Sequence, residues 1–111
     1  MIEERRCSYE VCKLLHEKGF DVKCTDWYWE NNINIWKPTH QMACDWLREV
    51  HHICITIYPD KEKGFEAVLY DTESDVEITI QSFGVFGYHI FESSYGEVVE
   101  AAIKYSLENL V

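Results

Sequence analysis

An abrupt change of hydrophobic period near the middle of the chain limits its fold more than any other feature. Ala43, Trp46, Leu47 and Val50 recur at i, i+3, i+4 and i+7, the spacing of one face of an α-helix. Beyond His51 and His52 the period falls to two: Ile53, Ile55 and Ile57 alternate with Cys54, Thr56 and Tyr58, as in a strand with unlike faces. Thr39, behind Pro38, supplies the helix N-cap, and Asp45, Arg48 and Glu49 fall on the wet side. Pro59 is expected to end the strand. A helix and a strand joined this tightly each have an apolar side that neither can bury alone, so the chain must build at least two layers.

The flanking sequence fills in those layers. Val11, Leu14 and Leu15, extended backwards by Cys7, predict a first helix over 8–18, with Ser8 as N-cap and Gly19 as a left-handed stop. Trp27, Tyr28 and Trp29, then Glu30-Asn31-Asn32, then Ile33, Ile35 and Trp36 read as a short hairpin turning at the Asn pair. Charged residues 60–64, ending in Gly64, form a turn into a strand from Phe65 to Tyr70. Val76, Ile78 and Ile80 alternate with Glu77, Thr79 and Gln81 as a third strand, and 85–91, apolar on both sides, reads as a fourth that is either more central or covered by aromatic side chains. Ser94 and Glu97 form a capping box before a last helix striped by Val99, Ala102, Ile103, Ser106, Leu107 and Leu110. The expectation is one α+β domain over 1–111. It is a two-layer sandwich in which an antiparallel sheet of three to four strands carries three helices mainly on one face, beside a short N-terminal hairpin.

Charge narrows the classes of partner. Ten basic against twenty acidic side chains give −10, and residues 60–111 hold eleven of the acids but three of the bases. Such a field repels phosphate backbones and anionic lipid surfaces, so neither direct nucleic-acid binding nor membrane association is expected. Cys7, Cys12, Cys24, Cys44 and Cys54 are odd in number, and four of them lie in segments read as helix or strand, which is no disulfide framework. With no apolar stretch of signal-peptide or membrane-span length, the expected setting is cytoplasmic.

The run Pro38-Thr39-His40-Gln41-Met42-Ala43-Cys44-Asp45-Trp46-Leu47-Arg48-Glu49-Val50-His51-His52-Ile53 and the ending Ala101-Ala102-Ile103-Lys104-Tyr105-Ser106-Leu107-Glu108-Asn109-Leu110 stand out as blocks. Both resemble stretches shared by short uncharacterised proteins of gut bacteria and their phages. That group has no known activity, so the resemblance implies a small free-standing domain of bacterial or phage origin and supplies no site residues.

Candidate chemistry is sparse. Cys12 with His16 and His40 with Cys44 stand at i, i+4 and are the candidate metal half-sites, although neither has the Cys-x-x-Cys knuckle of zinc ribbons, and no metal or other cofactor is expected. His40, His51, His52 and His89 are available bases, Cys24 or Cys44 a nucleophile, and Asp26, Asp45 or Asp71 an orienter. Nothing in their spacing joins them, and no catalytic residue is assigned. Trp27, Trp29 and Trp36 beside Glu30 form an aromatic group in which alternating positions cannot all point inward, and an exposed Trp is a binding anchor. The expected function is therefore a non-enzymatic binding or accessory domain with a protein partner. The alternatives are a small enzyme of unassigned class or an acidic DNA mimic that blocks a nucleic-acid-binding protein.

Overall fold

The computed structural model describes residues 5–78 and 90–111 and is an α+β fold of three helices and two antiparallel sheets. In chain order the elements are α1 (Tyr9–Glu17), β1 (Trp27–Glu30), β2 (Ile33–Trp36), α2 (His40–His51), β3 (Ile53–Asp60), β4 (Gly64–Asp71), β5 (Val76–Ile78), β6 (Ile90–Glu92) and α3 (Tyr95–Asn109). Each helix starts where a hydroxyl can take an orphan amide. The Ser8, Thr39 and Ser94 side chains accept from the N–H groups of Val11, Met42 and Glu97, each at 3.2 Å. Glu97 does not close the expected capping box on its N-cap; its carboxylate accepts from the Ser93 hydroxyl at 3.0 Å instead.

Left-handed residues terminate and turn the chain. Gly19, at φ 96°, follows α1 and lets the Phe20 N–H reach back to the Leu15 carbonyl at 2.9 Å. His52 takes the same region at φ 60° and swings the chain from α2 directly into β3. Asn31 and Asn32, both left-handed, make the two-residue turn that pairs β1 with β2 from Trp27↔Trp36 to Glu30↔Ile33.

In the larger sheet β4 is the central strand. β3 lies along its whole length, from Ile53↔Asp71 to Asp60↔Gly64. On its other side β5 covers 69–71 and β6 covers 65–67. The register places Ile55, Leu69 and Ile78 on one face together with Ile57, Ala67 and Ile90, and this face meets the helices. α3 crosses β3, β4 and β6 and touches both α1 and α2, so it is the middle of the helical layer. Leu15, Leu47, Leu69, Ile103 and Leu107 are fully buried between the layers, and Phe20 packs edge-to-face on Trp46 at 5.5 Å.

Three expectations need correction. β3 continues through Pro59, which pairs with Phe65; an edge strand tolerates proline because the missing N–H leaves no ladder partner unserved. Val50 is 53% exposed rather than part of the buried face of α2, because it lies in the last turn, next to where the chain reverses at His52. Among the described residues the end of the fourth strand, Ile90–Glu92, pairs with β4 alone and so has no second neighbour of the kind a central strand has. The rest of that strand, with His89, and the end of the third, 79–81, lie outside the described residues.

Candidate functional site

Three helices bring their polar groups together at one point. Thr39 caps α2 and places His40 in its first turn, where the imidazole faces Glu100 of α3. His40 Nε2 and Glu100 Oε1 are 2.9 Å apart, with the side chains only 12% and 25% exposed. Both Glu100 oxygens also accept from the Ser8 backbone N–H, at 3.3 and 3.1 Å, so one carboxylate joins the starts of α1 and α2 to the middle of α3. Burial on its own would raise the Glu100 carboxyl, but these hydrogen bonds outweigh it and hold the group below its ordinary value.

Cys7, held in place by its N–H on the Pro38 carbonyl at 3.0 Å, completes a cluster. Its sulfur, a His40 ring nitrogen and a Glu100 oxygen lie within 4.8 Å of one another, the one such donor set among the described residues that could hold a zinc-like ion. The thiol is poorly prepared for chemistry. Burial first, then the neighbouring thiols and Glu100, push its pKa far up. Burial likewise raises Cys12 and Cys44 to about 11, and a thiol is a nucleophile or ligand only as the thiolate.

The proposed Cys/His pairs are divided by the fold. Cys12 is buried, donating toward the Cys7 carbonyl, while His16 one turn on is exposed. His40 and Cys44 do line the same cavity, about 430 Å³, between α2, β3 and the start of α3. Its floor is apolar, with Ile55, Ile57 and Val99, and Cys54 faces Cys44 across it. The described carboxylates are absent from its lining; its charged residues are Arg5 and Arg48. Asp60 and Asp71 serve turns, each accepting from two nearby backbone N–H groups, and Asp26 accepts from the Trp27 N–H and faces Lys37 at 3.9 Å, so the candidate orienters Asp26 and Asp71 are engaged by groups other than a histidine.

The hairpin forms a second surface. Pairing register puts Trp27, Trp29, Asn34 and Trp36 on its outer face and Tyr28 and Ile35 on the inner one, where Tyr28 meets Tyr9 edge-on at 5.0 Å. Trp36 is half-buried against the core and stacks edge-to-face with Trp27 at 6.0 Å. Trp27 and Trp29 are 51% and 67% exposed. Glu30 is engaged by the Tyr9 hydroxyl and by Lys13 at 3.7 Å, which fixes the hairpin to α1.

No family model, curated protein or solved structure matches the chain. Its candidate sites are therefore defined by geometry. Sequence reading singled out His40, Cys44 and the Trp group but not Cys7, Glu100 or Arg5. Glu100 could have been suspected, because it is a carboxylate flanking the apolar stripe of α3, one residue after Val99. Arg5 gives no such signal, since only the tertiary fold carries it to Gly96.

Proposed function

We propose that this domain is a non-catalytic binding module that docks a protein partner on the outer face of the β1–β2 hairpin. One observation carries the reading: two tryptophans, i and i+2 on one strand, stand together in water while Trp36 is half-buried and Trp46 buried. The two rings leave on the order of 250 Å² of apolar surface exposed, enough for a hot-spot pair whose truncation costs about 2 kcal/mol or more each in known interfaces. The chain's −10 charge favours a partner presenting arginine or lysine, which can also lie over the indole faces.

A catalytic reading has less support. Burial raises the thiols of Cys7 and Cys44, and the imidazole of His40 is engaged by Glu100. The test is affinity capture from a lysate with wild type and a Trp27→Ala, Trp29→Ala double variant, each checked for an unchanged melting curve. The double variant should lose a basic protein that wild type recovers. Equal recovery would return both rings to a packing role.

A further inference from the structure

We propose that the cavity between α2, β3 and α3 is a separate binding site for a small amphiphilic carboxylate, an apolar body carrying one anionic head. The charge lining it is the first reason. In a chain with twice as many acidic as basic residues, the charged groups around this hollow are two guanidiniums, Arg5 and Arg48, and none of the described carboxylates. A cavity of about 430 Å³ is also within the range of small-molecule sites.

The second reason is the place of Arg5, an exposed residue whose guanidinium lies against Gly96. A Cβ on Gly96 would collide with the Arg5 guanidinium, so glycine in the first turn of α3 leaves the space in which that side chain lies. The Arg5 carbonyl accepts from the His40 N–H at 2.8 Å, anchoring its backbone to the start of α2. Among the described residues no carboxylate is in ion-pair contact with Arg5, although it also lines the neighbouring cleft, whose other charged groups are Glu10, Glu92, Glu97 and Glu100 together with Arg6 and Lys104. Arg48 differs: Asp45 at 3.2 Å and Glu49 at 3.9 Å already engage its Nη2, leaving it a secondary donor. The planar fork of Arg5 thus has unused N–H groups beside a low-polarity floor of Ile55, Ile57 and Val99.

The apolar floor decides the ligand class. A fully hydrated phosphate would gain nothing from isoleucine and valine, whereas a carboxylate on an aliphatic or aromatic body satisfies the guanidinium and covers the floor at once. This site is independent of the hairpin surface, and either can fail without the other.

The experiment titrates the full chain at low salt, by heteronuclear NMR, with 4-phenylbutyrate, 4-phenylbutanol and 4-phenylbutylamine. The carboxylate should bind about tenfold or more tighter than the alcohol, the worth of one charge-assisted hydrogen bond, and the amine weakest. Shifts should centre on Ile55, Ile57, Cys54 and Val99 and spare Trp27 and Trp29. Arg5→Gln should remove the preference for the carboxylate and leave alcohol binding unchanged. Gly96→Ala, which displaces the guanidinium but keeps its charge, should do the same. Equal affinity for acid and alcohol, a preference that survives both variants, shifts confined to the hairpin, or no shift at millimolar ligand would each overturn the proposal.

Discussion

Replacing Glu100 by glutamine tests whether the junction of the three helix segments is held as described. Glutamine keeps the shape and one carbonyl acceptor but loses the charge, so His40 Nε2 and the Ser8 N–H can no longer both be served by ionised oxygens. The His40 contact is nine-tenths removed from water on the imidazole side, and a hydrogen bond to a charged group in such a setting contributes about 1.5–3 kcal/mol. The Ser8 amide lies at an exposed residue that water can reach, adding about 0.5 kcal/mol. Against this, the neutral side chain no longer needs a carboxylate to be desolvated, which returns about 1 kcal/mol. The net loss is about 1–2.5 kcal/mol. For 111 residues the midpoint unfolding entropy is about 0.23 kcal/mol/K, so Tm near neutral pH should fall by roughly 4–11 °C.

The pH dependence supplies the sign. A carboxyl lowered in the folded state contributes stability that is present above its ordinary value of 4.5 and is lost as pH falls through the lowered one. Calorimetric melts of both proteins should therefore differ most near neutrality and converge as the pH falls below that ordinary value and through the lowered one. An unchanged Tm near neutrality, or a gap that widens in acid, would refute the account of this carboxylate.

Other expectations follow from burial and backbone geometry. Leu47→Ala should cost about 3 kcal/mol in urea denaturation, whereas Val50→Ala, one turn on, should change stability by no more than about 0.5 kcal/mol, since Leu47 is fully buried and Val50 is 53% exposed. Asn32→Gly should stabilise the hairpin by a few tenths of a kcal/mol, and replacing both Asn31 and Asn32 by alanine should cost about 2 kcal/mol, because both sit at positive φ. Near neutral pH, Cys7, Cys12 and Cys44 should resist iodoacetamide in the folded protein and react after unfolding, as mass spectrometry of the adducts would show; rapid labelling of Cys44 in the native state would contradict the raised thiol.

The helices were legible in the sequence because their signals are local. Ser8, Thr39 and Ser94 announce their starts, Gly19 announces one end, and the switch of period after His52 separates α2 from β3 without ambiguity. The hairpin was legible for the same reason, through Asn31 and Asn32. What was hidden depends on distant pairings. That Pro59 stays in its strand follows from β3 being an edge, a property of sheet order rather than of the residue. His40 bonds Glu100, 60 residues further on, and has the Cys7 sulfur within 4.8 Å from well before it in the chain, whereas the i, i+4 rule nominated Cys44, which lines the same cavity but does not bond it. Alternation required only that at least one Trp of the hairpin face water; which rings do so depended on Tyr28 and Ile35 meeting α1.

Recognition through the hairpin is best decided by binding isotherms of the captured partner on purified wild type, Trp27→Ala, Trp29→Ala and Val76→Ala, the last removing an equally exposed apolar side chain on the other sheet. Trp29→Ala should weaken binding about thirtyfold, the equivalent of one hot-spot residue of about 2 kcal/mol, with Trp27→Ala close behind and Val76→Ala unchanged. Wild-type affinity in both tryptophan variants would contradict the assignment.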